Sequence, residues 1–276
     1  MTRLRWVRMV RPRQGSMSAP LHAIVYGPFR SQRLSTTLGI NPVPTPRGDC
    51  PPDCPICAHG IADTVPILTR PGQRPTPGVV VTCAARKIIE LSKAGEKLST
   101  VLIAGADDPT NHPHLMEITD NLRALRDKWF PKAQLALQTT GVGLAQSDPR
   151  RALFLYDKPI VRFEWGTPKT FNAMTGRPVA GLTELTTALR SLDRLVVEAT
   201  FVRGEPDNSN DAEVKARAKR VALLGAKEVY ISTLPQAPKK GKARPVTAAR
   251  LDQIAALLLA ETGITATQHE LEAAAV

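Results

Sequence analysis

No apolar run in the 276 residues is long enough to span a bilayer, so nothing here reads as a membrane segment. Cysteine is scarce as well. Four are present, three of them crowded together, which is not how a disulfide framework is built. Such usage fits a reducing, cytoplasmic setting and a metal site. The glycine-containing turns match neither G-x-G-x-x-G nor the P-loop pattern, which leaves nucleotide-triphosphate binding with little support. Residues 1–16 hold no acid and five arginines, yet lack the apolar core of a signal peptide. That stretch is expected to be a disordered basic leader or a misassigned start, since Met17 opens a more ordinary one. Residues 17–276 are expected to form one domain.

What is present is balanced. At 42% hydrophobic and 22% charged residues, the chain has the composition of a soluble globular protein. Its length can bury a full core, as one α/β barrel or as two small domains. Lysine and arginine outnumber the acids 37 to 25, a net charge of +12 that falls to +7 without the five leader arginines. A basic surface suits a phosphate-bearing partner, although net charge speaks to association rather than to chemistry.

The stretch with most chemical content is Cys50-Pro51-Pro52-Asp53-Cys54-Pro55-Ile56-Cys57, a C-x3-C-x2-C pattern. Three thiolates on one short loop can hold three corners of a cubane iron–sulfur cluster and leave the fourth iron open. The prolines restrict the backbone between the ligands and lower the entropy lost on wrapping a cluster. A zinc knuckle is the competing reading, because His59 follows and Cys3His is a recognised zinc set. Unligated thiols are the third. Cys83 alone cannot build a second cysteine-held cluster, and it reads as a small apolar residue before it reads as an extra ligand.

Elsewhere strand and helix signals alternate. Short apolar runs at 22–26, 37–41, 101–104, 135–138, 160–165, 195–202 and 228–232 read as strands, with a possible last one at 264–268. Gly27-Pro28 reads as a turn. Helical periodicity covers 84–93, 114–129, 168–174, 182–192, 211–224 and 248–261. The alternation predicts an α/β fold, a partial (β/α)6 TIM-like barrel with parallel strands and helical crossovers. In such a fold the loops after the strands share one face. The cysteine loop, 105–109, 139–141, Gly166 and Arg203-Gly204 are expected to converge there.

The sequence resembles the radical S-adenosylmethionine (SAM) enzymes. The likeness runs from Ile24 to about Gln268 and is strongest at Cys50, Cys54 and Cys57. Gly27-Pro28-Phe29-Arg30-Ser31-Gln32-Arg33-Leu34 and Leu38-Gly39-Ile40-Asn41 resemble the G-P-x-x-S-R-R-L-G…S-L-G-I leader of one branch. That branch includes the wyosine-type tRNA-modification enzymes and uncharacterised relatives. Gly105-Ala106-Asp107-Asp108-Pro109-Thr110-Asn111-His112-Pro113 is similar to its G-x-G-E-P-T-L-H-P, and Phe201-Val202-Arg203-Gly204 with Asn208-Ser209 to its F-V-R-G…N-S.

The resemblance implies a [4Fe-4S] cluster on Cys50, Cys54 and Cys57 whose open iron chelates SAM. It implies that Gly105, Ala106, Asp107 and Asp108 receive the SAM amino group, largely through backbone carbonyls, and that Thr139 and Glu164 meet the ribose. Ile56 and Tyr230 map to adenine contacts. Asp108 stands where the family has Glu, and Ile56 where it often has an aromatic residue. The implied reaction is reductive cleavage of SAM to a 5′-deoxyadenosyl radical that takes hydrogen from an unassigned substrate. The cofactor carries that chemistry and the protein orients it. An external one-electron donor, flavodoxin- or ferredoxin-like, is implied, and the positive charge allows an RNA substrate. Arg30, Arg33 and Arg47 could favour the thiolates or bind an anionic substrate. His112 and His114 read as helix-capping residues before catalytic ones, Trp129 and Trp165 as core or rim residues, and the basic run 239–244 as a solvated loop. A non-catalytic zinc-knuckle RNA-binding module is the alternative to the enzyme.

Overall fold

The computed structural model describes residues 23–44, 74–105, 107–141, 144, 147–237 and 241–270. The three clustered cysteines, Arg47, Ile56, His59, Ala106, residues 239–240 and the basic leader lie outside them. Two strands open the chain, β1 (Val25–Ser31) and β2 (Ser35–Ile40), followed by α1 (Pro77–Lys93), β3 (Thr100–Ile103), α2 (Leu115–Trp129) and β4 (Gln134–Thr139). Next come α3 (Ser147–Leu153), β5 (Lys158–Arg162), α4 (Pro168–Thr175), α5 (Val179–Leu189) and β6 (Val196–Arg203). The last elements are α6 (Asp211–Leu224), β7 (Glu228–Thr233), β8 (Arg244–Pro245), α7 (Ala248–Thr262) and β9 (Ala266–Gln268).

β2 through β7 pair in chain order, each parallel to the next, and β9 adds a further parallel strand beside β7. This mostly parallel sheet curls into a half-barrel with helical crossovers, the architecture expected from the strand–helix rhythm. Two pairings are antiparallel. β1 pairs with β2 as a hairpin, and β8 pairs with the end of β6. Gly27-Pro28 does not turn the chain. The strand runs through it, with a register shift between Tyr26 and Phe29, because Gly27 takes φ +91° and Pro28 has no N–H to give the ladder. α3 had no counterpart in the sequence reading; it is seven residues long and begins Ser147-Asp148-Pro149, too short for periodicity to declare it.

Local chemistry sets the helix ends. Asn210 opens α6 by accepting from the Glu213 amide at 3.1 Å, and Gly225 closes it at φ +67°. Thr247 caps α7 in the same manner. The outward side chains of the strands, among them Leu38, Ile40, Val101, Ile103, Leu137, Val161, Val197 and Phe201, join the helices in one large apolar core. A second cluster of Tyr26, Phe29, Leu34, Leu102, Ala104, Ala136, Ile160, Val196 and Tyr230 contains no helical residue. It fills the concave side of the sheet.

The concave side also carries charge. Glu198 of β6, buried to a few percent exposure, lies 2.7 Å from Arg33 Nη1 and 3.0 Å from His269 Nε2. It also accepts from Gln138 Nε2 at 2.7 Å. Arg33 comes from the β1–β2 hairpin tip and His269 from just beyond β9, so one carboxylate gathers both edges of the open sheet. The Glu270 amide donates to Gln32 Oε1 at 3.2 Å across the same gap. Burial opposes the ionisation of Glu198, but Arg33, His269 and Arg162 outweigh it and hold its pKa well below the ordinary carboxylate range.

Candidate active site

The site expected from the sequence lies at the C-terminal ends of the strands. β2 ends at Ile40 and runs into Asn41, fully buried. Asn41 donates its amide to Ile24 O at 2.7 Å, and its Oδ1 accepts from the Val43 amide at 3.1 Å. The turn after β3 is fitted against this residue. A Cβ on Gly105 would stand 2.1 Å from Asn41 Oδ1, so only glycine lets the two strand ends approach this closely. The Ala104 amide donates to Ile40 O at 3.0 Å, tightening the same seam.

Beyond Gly105 the turn is cross-linked by carboxylates. Asp107 Oδ1 accepts from the Asp108 amide at 2.7 Å and from Asn111 Nδ2 at 3.2 Å. Asp108 accepts from five donors. Thr110 gives its amide at 2.9 Å and its hydroxyl at 2.7 Å. Thr139 gives its hydroxyl at 2.7 Å, and Thr140 its amide at 2.6 Å and its hydroxyl at 2.5 Å. Asp108 therefore fastens the β3 turn to the end of β4, and its oxygens are already satisfied. Thr139 accepts in turn from the Gly141 amide at 2.8 Å. The shorter Asp side chain suits this role, since its carboxylate caps the 3-10 turn Pro109–Asn111 that follows directly.

His112 ends that turn at 1% exposure. Its Nε2 lies 2.9 Å from Pro75 O, and its Nδ1 accepts from the His114 amide at 3.1 Å. Burial lowers its pKa, which favours the neutral ring. His114 occupies the N-cap position of α2 without a side-chain cap bond.

Glu164 follows β5 and is buried. It accepts from the Thr200 amide at 2.6 Å and from Arg162 Nε and Nη2 at 3.0 and 2.9 Å. Burial raises its pKa despite the nearby arginines Arg162 and Arg217. Asn208 of the N-S segment stitches the same strand ends. Its Nδ2 donates to Glu164 O and Thr200 O at 2.8 and 2.9 Å, and its Oδ1 accepts from the Val202 amide at 2.7 Å. Tyr230 sits lower on the concave side, its hydroxyl donating to Glu228 and accepting from Lys158. Those residues begin β7 and β5.

The structure thus brings Asp107, Asp108 and Thr139 into one bonded group beside Gly105, with Glu164 at the end of β5. Arg33 is buried against Glu198, a partner the sequence reading did not name. Trp165 packs against Phe163 and Phe171 at 5.6 and 4.9 Å, in the core. Cys83 is half-buried in α1, and Arg244 pairs opposite Arg203 in the β6–β8 ribbon. Gln138, Arg162, Glu198 and His269 were missed. The signal for two of them was the period of two in β5 and β6, where Arg162 and Glu198 interrupt strands otherwise fit for burial on both faces.

The half-barrel of parallel strands is a fold shared with solved structures. Among solved structures, that of TYW1 with a lysine-pyruvate adduct bound matches at TM-score 0.58 and 11% identity, over 83% of this chain and 75% of that one. A domain of pyruvate-formate lyase-activating enzyme from Bacteroides vulgatus matches at TM-score 0.49 and 15% identity, over 62% of this chain and 99% of that one. No family model and no curated protein matches the sequence. Among the described residues no helix is long and apolar enough to cross a membrane.

Proposed function

We propose that this chain is a radical SAM enzyme acting in the cytoplasm, with residues 17–276 as the working domain. One observation carries the reading. On both sides of the cysteine-bearing stretch a described residue meets the turn after β3, Asn41 by close packing on Gly105 and Pro75 by its contact with His112. That supports pairing the cysteine-bearing stretch with this turn, which we take to receive the cofactor's amino group.

The residues suit the groups. Cys50, Cys54 and Cys57 are soft thiolate ligands at a spacing fit for a [4Fe-4S] cluster. The turn Gly105, Ala106, Asp107 and Asp108 is rich in oxygen, which suits an ammonium group. Because Asp108 is saturated by internal donors, the turn's backbone carbonyls would meet the cation, and a longer carboxylate is not needed. Thr139 and Glu164 are the proposed ribose positions, held rigid by Asp108 on one side and by Thr200 and Asn208 on the other. A cluster on Cys50, Cys54 and Cys57 with SAM bound would supply reductive radical chemistry, given one electron from an external flavodoxin- or ferredoxin-like donor. The chain's own part is to orient the cofactor, hold the strand ends in register and shelter the radical on the concave side. The excess of positive charge favours a phosphate-bearing substrate, RNA among them.

Anaerobic reconstitution tests this. The protein is expected to turn brown, bind about four irons and release 5′-deoxyadenosine from SAM on reduction, and Cys54→Ala to abolish both. Colourless, zinc-loaded protein without cleavage would instead support the RNA-binding module.

A further inference from the structure

The geometry points to His112 as a positioning residue, whose neutral Nε2–H form ties Pro75 to the turn after β3 and so sets the place of the turn proposed to receive the cofactor's amino group. This rests on the enzyme reading above.

A carbonyl can only accept, so the 2.9 Å contact with Pro75 O requires the proton on Nε2. The other nitrogen accepts from the His114 amide, which requires an unprotonated Nδ1. Both ring nitrogens are committed, and only one tautomer satisfies both. What His112 grips is stiff. Pro75 and Pro77 fix φ on either side of Thr76, and Thr76, the N-cap position of α1, makes no side-chain cap bond. The first turn of α1 is held instead by the Val79 and Val80 amides on Thr76 O at 3.0 and 3.1 Å. The histidine is as firmly joined to the cofactor turn. Its amide donates to Pro109 O, and the Asn111 amide to Asp108 O, both at 3.0 Å. Asp108 is locked to Thr139 and Thr140. A shift at Pro75 therefore moves the turn through two short, rigid links. Burial, with His114 and Arg74, disfavours charge on the ring and outweighs the bond to Pro75 and the nearby Glu117, which favour it. No part of this role needs His112 to touch substrate, and its side chain is covered by the chain itself.

Three proteins test the assignment: wild type, His112→Leu, and His112→Gln, whose amide can still donate to Pro75 O. In the apo-protein, imidazole nitrogen resonances should show the Nε2–H tautomer. Hydrogen exchange at Val79 and Val80 should be roughly tenfold faster in His112→Leu than in wild type, with α6 unchanged as a control for folding. His112→Gln should restore most of the protection. In reconstituted protein, His112→Leu should raise the KM for SAM roughly tenfold with iron content preserved, and should alter the change that SAM produces in the reduced cluster's electron paramagnetic resonance spectrum. An Nδ1–H tautomer, equal exchange in all three proteins, or an unchanged KM and spectrum in iron-loaded His112→Leu would overturn the assignment. Wild type that takes up no iron would overturn the enzyme reading, and leaves the apo-protein tautomer and exchange results to decide the Pro75 contact separately.

Discussion

The two faces of one sheet are built on different principles. On the convex face Leu137, Val161, Val197 and Phe201 meet the helices in a continuous apolar layer, stabilised by area removed from water. The concave face mixes a small apolar plug with charge: the buried Glu198 with Arg33, His269 and Gln138, and a half-exposed pair of Lys158 and Glu228 with Tyr230. The convex face would tolerate exchange of one apolar side chain for another of similar size. The concave face depends on complements, because a buried charge that loses its partner is costly. The difference explains how a half-open sheet is held together. Its edges β1 and β9 are not ladder partners, and Glu198 gathers the segments next to both.

Breaking the convex face should have the largest effect. Phe201→Ala, at a site of zero exposure, is expected to cost about 4 kcal/mol, measured by urea unfolding; a cost below ~1 kcal/mol would mean the helices do not depend on that layer.

Glu198→Ala should come next, at about 3 kcal/mol, because it takes the buried carboxylate away from Arg33 and His269. Here the faces separate sharply: Arg33→Met combined with Glu198→Leu should recover most of that loss, whereas no second substitution repairs Phe201→Ala so simply. Acid should reach the same group. Since the native state holds the Glu198 pKa below its ordinary 4.5, the unfolded chain binds more protons below that pH. Stability from this group is present above about pH 4.5 and is lost as the pH falls toward the native value. A Glu198→Gln variant should show a shallower acid slope, and an identical slope would refute the hub.

Asp108→Asn should be milder, about 1–3 kcal/mol, since an amide can accept at one atom but leaves other donors unmet. It should also loosen amide exchange at Thr110 and Thr140 before exchange elsewhere. Least of all, Lys242→Ala should change stability by under ~0.5 kcal/mol, because its pair with Glu205 is 74% exposed on both sides. A larger change there would mean the β6–β8 ribbon is held by charge rather than by its backbone bonds.

Much of the scaffold was legible from local pattern. α6 was read at its observed bounds, since Asn210 and Gly225 are strong end signals and the helix between them is long. The parallel order followed from alternation of short apolar runs with helices. Gly27-Pro28 misled, because a glycine–proline pair signals a turn in isolation and a bulge when a neighbouring strand pairs on both sides of it. At the site, the turn 105–108 and Thr139 were legible as motif positions, but their mutual bonding was not. Nothing local says that Asp108 will reach Thr140, or that Arg33 will find a glutamate on β6.

The order of amino acids determined which segments become strands and helices, where helices stop, and where three thiols lie together, because these follow from periodicity, capping and spacing over a few residues. Tertiary structure alone decided that Glu198 is shared by both edges of the sheet, that Asp108 is satisfied internally, and that His112 meets Pro75. Apart from the local Asp108–Thr110 bonds, those contacts join residues 31 to 165 positions apart in the chain. Distances of that kind are set by the curl of the sheet, which no short stretch of chain encodes.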